Sequence, residues 1–579
     1  MKQVFTIALL AAMIVLLFAP ARSIASNDTL VVYATPITIT LDSVIAQDQR
    51  AATPHGVYKL VSTDTPYVFN KSVVVNNSVS FVGVLGAQGR PPCIQPNVLT
   101  DNSIPGHLFT FTKNGSVVKI ANLYLIGISI DNSINLGDGF GITVTADSVK
   151  TWINNVVFEQ WSQFGINYSG NWDSFWITNC KFRNFVNTGS DYTGEAFRNR
   201  NDLGHFPTDT VVMRYNTFLC LNGYVSAPVT TTYMRYFDFT HNTVVGVFKN
   251  PFFAMNATNW NFQHNILFAT YAGGMGNGEY PWWDRIWTGG LGAVIDLDTL
   301  SKSVAAWVVD TTAANWVTLA EAARKITVND NLYYMPSSIT AAVTAWNADT
   351  VDNHNWIYQC PWMNDFTSTM FSNHSGFHNT ANQNVDPGFG SVIATMIAAS
   401  GTPPAADGIG LIPWLREFRL ADVATHLWGY QAAVPDYSSG NWTPTWPLPE
   451  QTSNDLKYTA SLTASDGKVY GDPFWTTGAQ TRVVSNVSAA PHTFSLSEAY
   501  PNPFNPSTNV QYSLPVSGAV SLKVYNVLGQ LVKTLVDNAH QDAGTYTVRV
   551  DMSNVTSGVY FYSLEQGNNR LVHKMMLLK

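Results

Sequence analysis

Phe239-Thr240-His241-Asn242-Thr243-Val244 is followed, 23 residues on, by Phe262-Gln263-His264-Asn265-Ile266-Leu267. Both read apolar, any, polar, Asn, any, apolar. With Asn or an apolar residue in fourth place, the phrase recurs at 120–125, 153–158, 177–182, 213–218 and 328–333. The seven starts lie 33, 24, 36, 26, 23 and 66 residues apart. Such a period with insertions marks a solenoid laid down one coil at a time. Apolar first and sixth positions around a polar turn suit a short strand that bends and resumes. Asn is the non-glycine residue that best tolerates a left-handed bend.

Coils stacked about 4.8 Å apart place equivalent side chains above one another. The fourth position then forms a row: Leu123, Val156 and Cys180, followed by Asn216, Asn242, Asn265 and Asn331. Stacked amides can hydrogen-bond along the axis and so satisfy groups that are costly to bury. Segments 73–75, 80–84 and 108–112 fit opening coils upstream. The pattern resembles the right-handed parallel β-helix of the pectate-lyase-like superfamily over roughly residues 55–340. That resemblance bears on fold far more than on activity.

Charged residues make up only 12% of the 579, aromatics 13%, and the net charge is −8. No basic footprint for nucleic acid is present, and the composition is not that of a disordered chain. Rings on a low-charge surface suit carbohydrate, although most of them are expected to fill the coil interior. Lys2, the apolar run 4–18 and the small residues to Ala25 read as a secretory signal peptide, cut after Ala25 or else Ala21. No other stretch suits a membrane span. Cys93, Cys180, Cys220 and Cys360 show no metal-ligand spacing. Cys180 reads as a small core residue, and a cross-coil disulfide to Cys220 is left open by their spacing.

Past residue 491 the texture changes to short alternating segments at 508–514, 519–526, 530–536, 545–550, 559–564 and 570–578. Close-set strands with Gly and Asn turns argue for a small Ig-like β-sandwich. Tyr500-Pro501-Asn502-Pro503-Phe504-Asn505-Pro506, Val524 to Gly529, Ser557 to Tyr562 and the ending Lys574 to Lys579 resemble the C-terminal sorting domain of type IX secretion substrates. The resemblance implies export across the outer membrane of a Bacteroidetes/Chlorobi-type bacterium, removal of the domain, and attachment to the surface. The segment 465–475 is similar to a closing segment of secreted β-helix proteins of that group, and 56–60 and 87–92 to their first coils. The expected division is 1–25 signal peptide, 26–350 parallel β-helix, 351–490 cap and loop-rich extension, and 491–579 sorting domain.

A lyase on this fold needs clustered carboxylates for Ca²⁺ and a Lys or Arg base. The second and fifth positions of the phrase, read as outward, contain no carboxylate, and Gly106-His107-Leu108 is not the Gly-His-Gly of β-helix hydrolases. Two insertions hold the remaining candidates. Glu195, Arg198, Arg200 and Asp202, near Lys181 and Arg183, could grip an acidic sugar or supply a base; the alternative is a solvated loop with weak ion pairs. Trp282, Trp283, Arg285 and Trp287 could form a sugar platform or a lid. His241 and His264 could stack or form a metal half-site. Turn packing is the simpler reading, because Tyr215 and Asp330 do not complete a ligand set.

The sequence therefore predicts an exported all-β protein that binds extracellular polysaccharide without catalysis, metal or cofactor. The alternatives are a polysaccharide lyase, with Ca²⁺, and an adhesive or structural surface protein.

Overall fold

The computed structural model describes residues 29–475 and 495–578, less 35–38, 186, 188–192, 200–206, 229–232, 254–256, 273–292, 298, 301–304, 307, 310, 349–359, 391–392, 394–410, 416–445, 454–455, 459–461, 498, 500–501, 515–517, 542–543 and 567–568. The expected signal peptide lies outside them. The chain divides into two units, residues 1–479 and 480–579.

The first unit is a parallel β-helix. Its coils build three parallel sheets of eleven, ten and eight strands among the described residues. Each phrase spans the corner between the eleven-stranded and ten-stranded sheets. Lys150–Asn154, for example, leads through Asn155 and Val156 into Val157–Glu159. The left-handed residue is the third of the phrase. Asn122, Asn155, Asn179, Tyr215, His241, His264, Asp330 and, one coil further, Ala381 all have φ between 53° and 60°. Asn, Asp and His are the non-glycine residues most at home there.

The fourth residue turns inward. Asn216 donates from both its backbone N–H and Nδ2 to Asn242 Oδ1, each at 3.0 Å. Asn242 does the same to Asn265, Asn265 to Asn331, and Asn331 to Asn382. Each Nδ2 also reaches a carbonyl of the adjacent coil, such as Met213 O at 2.9 Å from Asn242. Buried amides with both ends occupied replace what would otherwise be a desolvation penalty. Cys180 continues the row by donating its backbone N–H to Asn216 Oδ1 at 2.8 Å. No disulfide joins Cys180 to Cys220.

Inside the coils, first-position Ile120, Ile153, Ile177, Met213, Phe239, Phe262 and Val328 meet sixth-position Phe158, Phe182 and Phe218 in one core. Phe158, Phe182 and Phe218 stack at 4.6 and 4.9 Å. The helix Leu41–Gln49 buries Leu41 and Ile45 over the first coil. At the other end the coils run past residue 350: Phe377–His378 and Gln383–Asn384 pair onto Lys325–Asn329 and Leu332–Tyr334.

The fifth-position row points out of the coil but not into water. The described residues of 446–475 return across the outer face of the ten-stranded sheet and help bury it. Leu448 packs with Cys93, Tyr124 and Val157, and Trp475 and Tyr470 with Ile266 and Leu332. Trp446 Nε1 donates to Gln88 O at 3.0 Å. Gly471 lies flat on the corner, its N–H donating to His264 O at 2.7 Å, where a Cβ would meet Thr243 Oγ1 at 2.5 Å. Beneath this segment Arg183 joins two carboxylates, all three fully buried. It pairs with Glu159 and donates from Nη2 to Glu450 Oε2 at 2.9 Å.

The second unit is an antiparallel sandwich of three-stranded and four-stranded sheets. Its strands Ser495–Leu496, Ser507–Leu514, Gly518–Asn526, Leu531–Gln541, Gly544–Asp551, Gly558–Gln566 and Asn569–Leu577 close over Val510, Leu522, Val524, Tyr562 and Met575.

Candidate functional site

The face left partly open is the outer side of the eleven-stranded sheet. One residue before each phrase, the register aligns Lys119, Trp152, Trp176, Val212, Asp238, Asn261 and Thr327 in a single row. Parallel pairing at about 4.8 Å forces neighbouring flat side chains into face-to-face contact. Trp152 and Trp176 stack with centroids 4.5 Å apart and planes 7° apart, both only half-buried. Lys119 Nζ lies 5.6 Å from the Trp152 centroid, on the neighbouring coil. Burial holds its ammonium below the usual lysine range.

Past Trp176 the row drops to the shorter Val212 and then reaches Asp238. Two strand spacings separate Trp176 from Asp238, roughly 9.6 Å. Val212 thus separates the half-buried Trp176 from a polar cluster built round the fully buried Asp238. Arg214 Nη2 contacts Asp238 Oδ2 at 2.7 Å, Tyr236 OH donates to the same oxygen at 3.1 Å, and Thr240 donates to Oδ1. Burial, then the Asp238 carboxylate, pushes Tyr236 up to about 12, so the phenol stays a donor at neutral pH. Along the flank, Thr178 Oγ1 and Asn179 Nδ2 donate to Asn154 Oδ1 at 2.9 and 2.7 Å. The arrangement offers a ring face for C–H groups and several hydrogen-bonding side chains for hydroxyls.

Among the described candidates, Lys181 lies on a different sheet from Glu195 and Arg198. Lys181 is buried on the ten-stranded sheet, its Nζ 4.2 Å from the Phe474 ring centroid and 5.6 Å from that of Trp475. Glu195 and Arg198 lie on the eight-stranded sheet, where Arg198 Nη1 meets Glu195 Oε1 at 2.5 Å over the Phe164 ring. Glu195 is fully buried, so this pair is part of the wall rather than a solvated loop. His107 of the neglected 106–108 segment bridges Asp138 Oδ1 at 3.0 Å and Thr143 Oγ1 at 3.2 Å on that same sheet. Arg200, Asp202, Trp282, Trp283, Arg285 and Trp287 lie outside the described residues.

His241 and His264 do adjoin, with ring centroids 4.8 Å apart. A third ligand-type side chain reaches them, Asp466 of the returning segment. Position three alone does not reveal it, because Asp466 comes from outside the repeat. The Trp pair was findable by reading the aligned phrases one residue further upstream.

No helix among the described residues is long and apolar enough to cross a membrane. No curated protein and no solved structure matches the chain. Residues 498–578 match the family described as secretion system C-terminal sorting domain. The chain thus ends in a type IX sorting tail that engages the type IX secretion machinery, and the protein is exported to the cell surface or the extracellular space.

Proposed function

We propose that this exported β-helix recognises extracellular polysaccharide across the open face of its eleven-stranded sheet, without catalysis. The observation that carries the reading is the half-buried Trp152–Trp176 stack on the outer face, its centroids 4.5 Å apart. Val212 follows Trp176 in the row, and Arg214 and Tyr236 lie beside it, both bound to the buried Asp238. A pyranose standing on Val212 would stack on Trp176 and offer its hydroxyls to that cluster. An extended glycan would continue along Asn154, Thr178, Thr240 and Gln263, which repeat at each coil on the same face.

The test is a binding titration of the exported protein against neutral and uronate-containing glycans. Trp176→Ala is expected to weaken the retained glycan about tenfold or more, the loss usual for an aromatic anchor. Ultraviolet absorbance is followed in the same samples with Ca²⁺ present. Unsaturated uronate ends would replace this reading with a lyase. Retention unaffected by Trp176→Ala would move the binding surface elsewhere.

A further inference from the structure

We propose that His241, His264 and Asp466 form a binding site for a zinc-type divalent cation that pins the returning segment to the coil corner. The two histidines occupy the third place of adjacent phrases, so the left-handed bend projects both rings from the same corner, one coil apart. Asp466 is brought to them by a tight turn. Ala464 N–H donates to Lys468 O at 2.7 Å, Gly467 carries φ +80°, and Lys468 N–H occupies Asp466 Oδ1 at 3.0 Å. Oδ2 is thereby turned toward the rings, 2.9 Å from His241 Nε2 and 3.8 Å from His264 Nδ1. Metal–ligand bonds of ~2.0–2.2 Å hold tetrahedral donor atoms roughly 3.3–3.6 Å apart, between those two separations. The three donor atoms lie within 4.8 Å of one another.

Hydrogen bonding leaves the same three atoms in need of a cation. His241 Nδ1 faces Val469 O at 2.8 Å, which only an N–H can satisfy, so a neutral ring has a bare Nε2. That bare nitrogen would oppose a carboxylate oxygen at 2.9 Å, two acceptors with nothing between them. Either a second proton or a metal ion resolves the clash. His264 chooses between them. Its Nδ1 is buried without a hydrogen-bond partner, on a side chain 10% exposed, and it points at the same Oδ2. Its Nε2 is backed by Ser465 Oγ at 3.3 Å and Asp330 Oδ2 at 3.5 Å. Outer acceptors behind both rings are how ligating histidines are oriented and their tautomers fixed.

Two imidazoles and one carboxylate suit zinc or its first-row neighbours rather than Ca²⁺ or Mg²⁺, which take oxygen ligands. Asp466 is partly exposed, so water can take a fourth position. Lys468 is the competitor. Its Nζ lies 3.7 Å from Asp466 Oδ2 and 3.3 Å from Tyr215 OH.

The full chain, purified without a polyhistidine tag and stripped by chelator, is titrated with Co²⁺ and then Zn²⁺. Expected are one Co²⁺ per chain with the visible bands of a low-symmetry, four-coordinate site, and loss of those bands on adding Zn²⁺. His264→Gln and Asp466→Asn each weaken binding tenfold or more, and Lys468→Met tightens it. Asp466 sits on an exposed turn, so its variant remains foldable if the histidine variant does not, and urea midpoints of the metal-free proteins verify both. Zn²⁺ raises the midpoints of the wild type and of Lys468→Met, and those of His264→Gln and Asp466→Asn far less. Absence of cobalt bands in the wild type, or bands unchanged in Asp466→Asn, overturns the proposal.

Discussion

Arg183→Met is the substitution whose cost follows most directly from the structure. The guanidinium is fully buried between Glu159 and Glu450, with Asn184 Nδ2 donating to Glu159 Oε1 at 2.7 Å and Tyr124 OH to Oε2 at 3.3 Å. One cation and two carboxylates leave a net negative charge where water is excluded, and burial, opposed by Arg183, pushes Glu159 up to about 7. Removing the cation strands two buried carboxylates, a loss of about 3–5 kcal/mol near pH 8. The loss shrinks in acid, where Glu159 takes a proton. In the wild type the same group favours the acid side. With its folded value above the ordinary 4.5, its contribution is complete below 4.5 and fades as pH rises through about 7. That gap corresponds to about 3 kcal/mol. Urea midpoints at about pH 5.5 and about pH 8.5 read both effects. The triple variant Arg183→Met, Glu159→Gln, Glu450→Gln is expected to recover most of the stability, since neutral isosteres have no charge to desolvate. A single variant within about 1 kcal/mol of wild type at the higher pH would refute the reasoning. So would a triple variant as weak as the single.

Asp173 offers a simpler case. Burial pushes it up to about 8, and its Oδ2 has no partner while Oδ1 accepts from Val149 N–H at 2.8 Å. Its contribution is therefore full below 3.8 and lost as pH rises through about 8, and Asp173→Asn should gain about 2 kcal/mol near pH 9 and little near pH 4, read from urea midpoints. Asn265→Ala removes both an acceptor for Asn242 and a donor to Phe239 O and Asn331, and should cost about 2–4 kcal/mol. The same change at Asn382, on the last coil of the row, should cost less, because its amide accepts from Asn331 but donates to no further ladder amide among the described residues, only to Val328 O and Asn379 Oδ1; equal losses would contradict the ladder account.

The coil corners were readable because one geometric demand recurs at each of them. A left-handed third residue and an inward fourth leave little choice, and His241 and Asp330 fill the third place as Asn155 does. The last coil escaped notice because its phrase, Asn379 to Asn384, has Asn at both apolar positions, as suits an end coil with half its neighbours missing. The sandwich strands were legible to within a few residues because turn chemistry brackets each one. The covered face was not legible. Residues 446–475 have no period of their own, and what they touch lies up to 358 residues away. Lys181 therefore read as an outward base when it sits beneath Phe474 and Trp475. Asp466 was missed for the same reason.

The returning segment also changes how the solenoid assembles. A repeat protein can ordinarily grow by neighbour contacts alone, each coil templating the next. Here the sheet carrying Tyr124, Val157, Ile266 and Leu332 keeps an apolar flank until residues 446–475 arrive to latch it. Those contacts close loops of 87 to 358 residues, which places them late and makes the coils answer to one another as a single cooperative body. A chain ended before residue 446 would present a bare, sticky sheet. For a protein that must leave the cell, the last part of the helix unit to be synthesised is the part that makes the rest safe to expose.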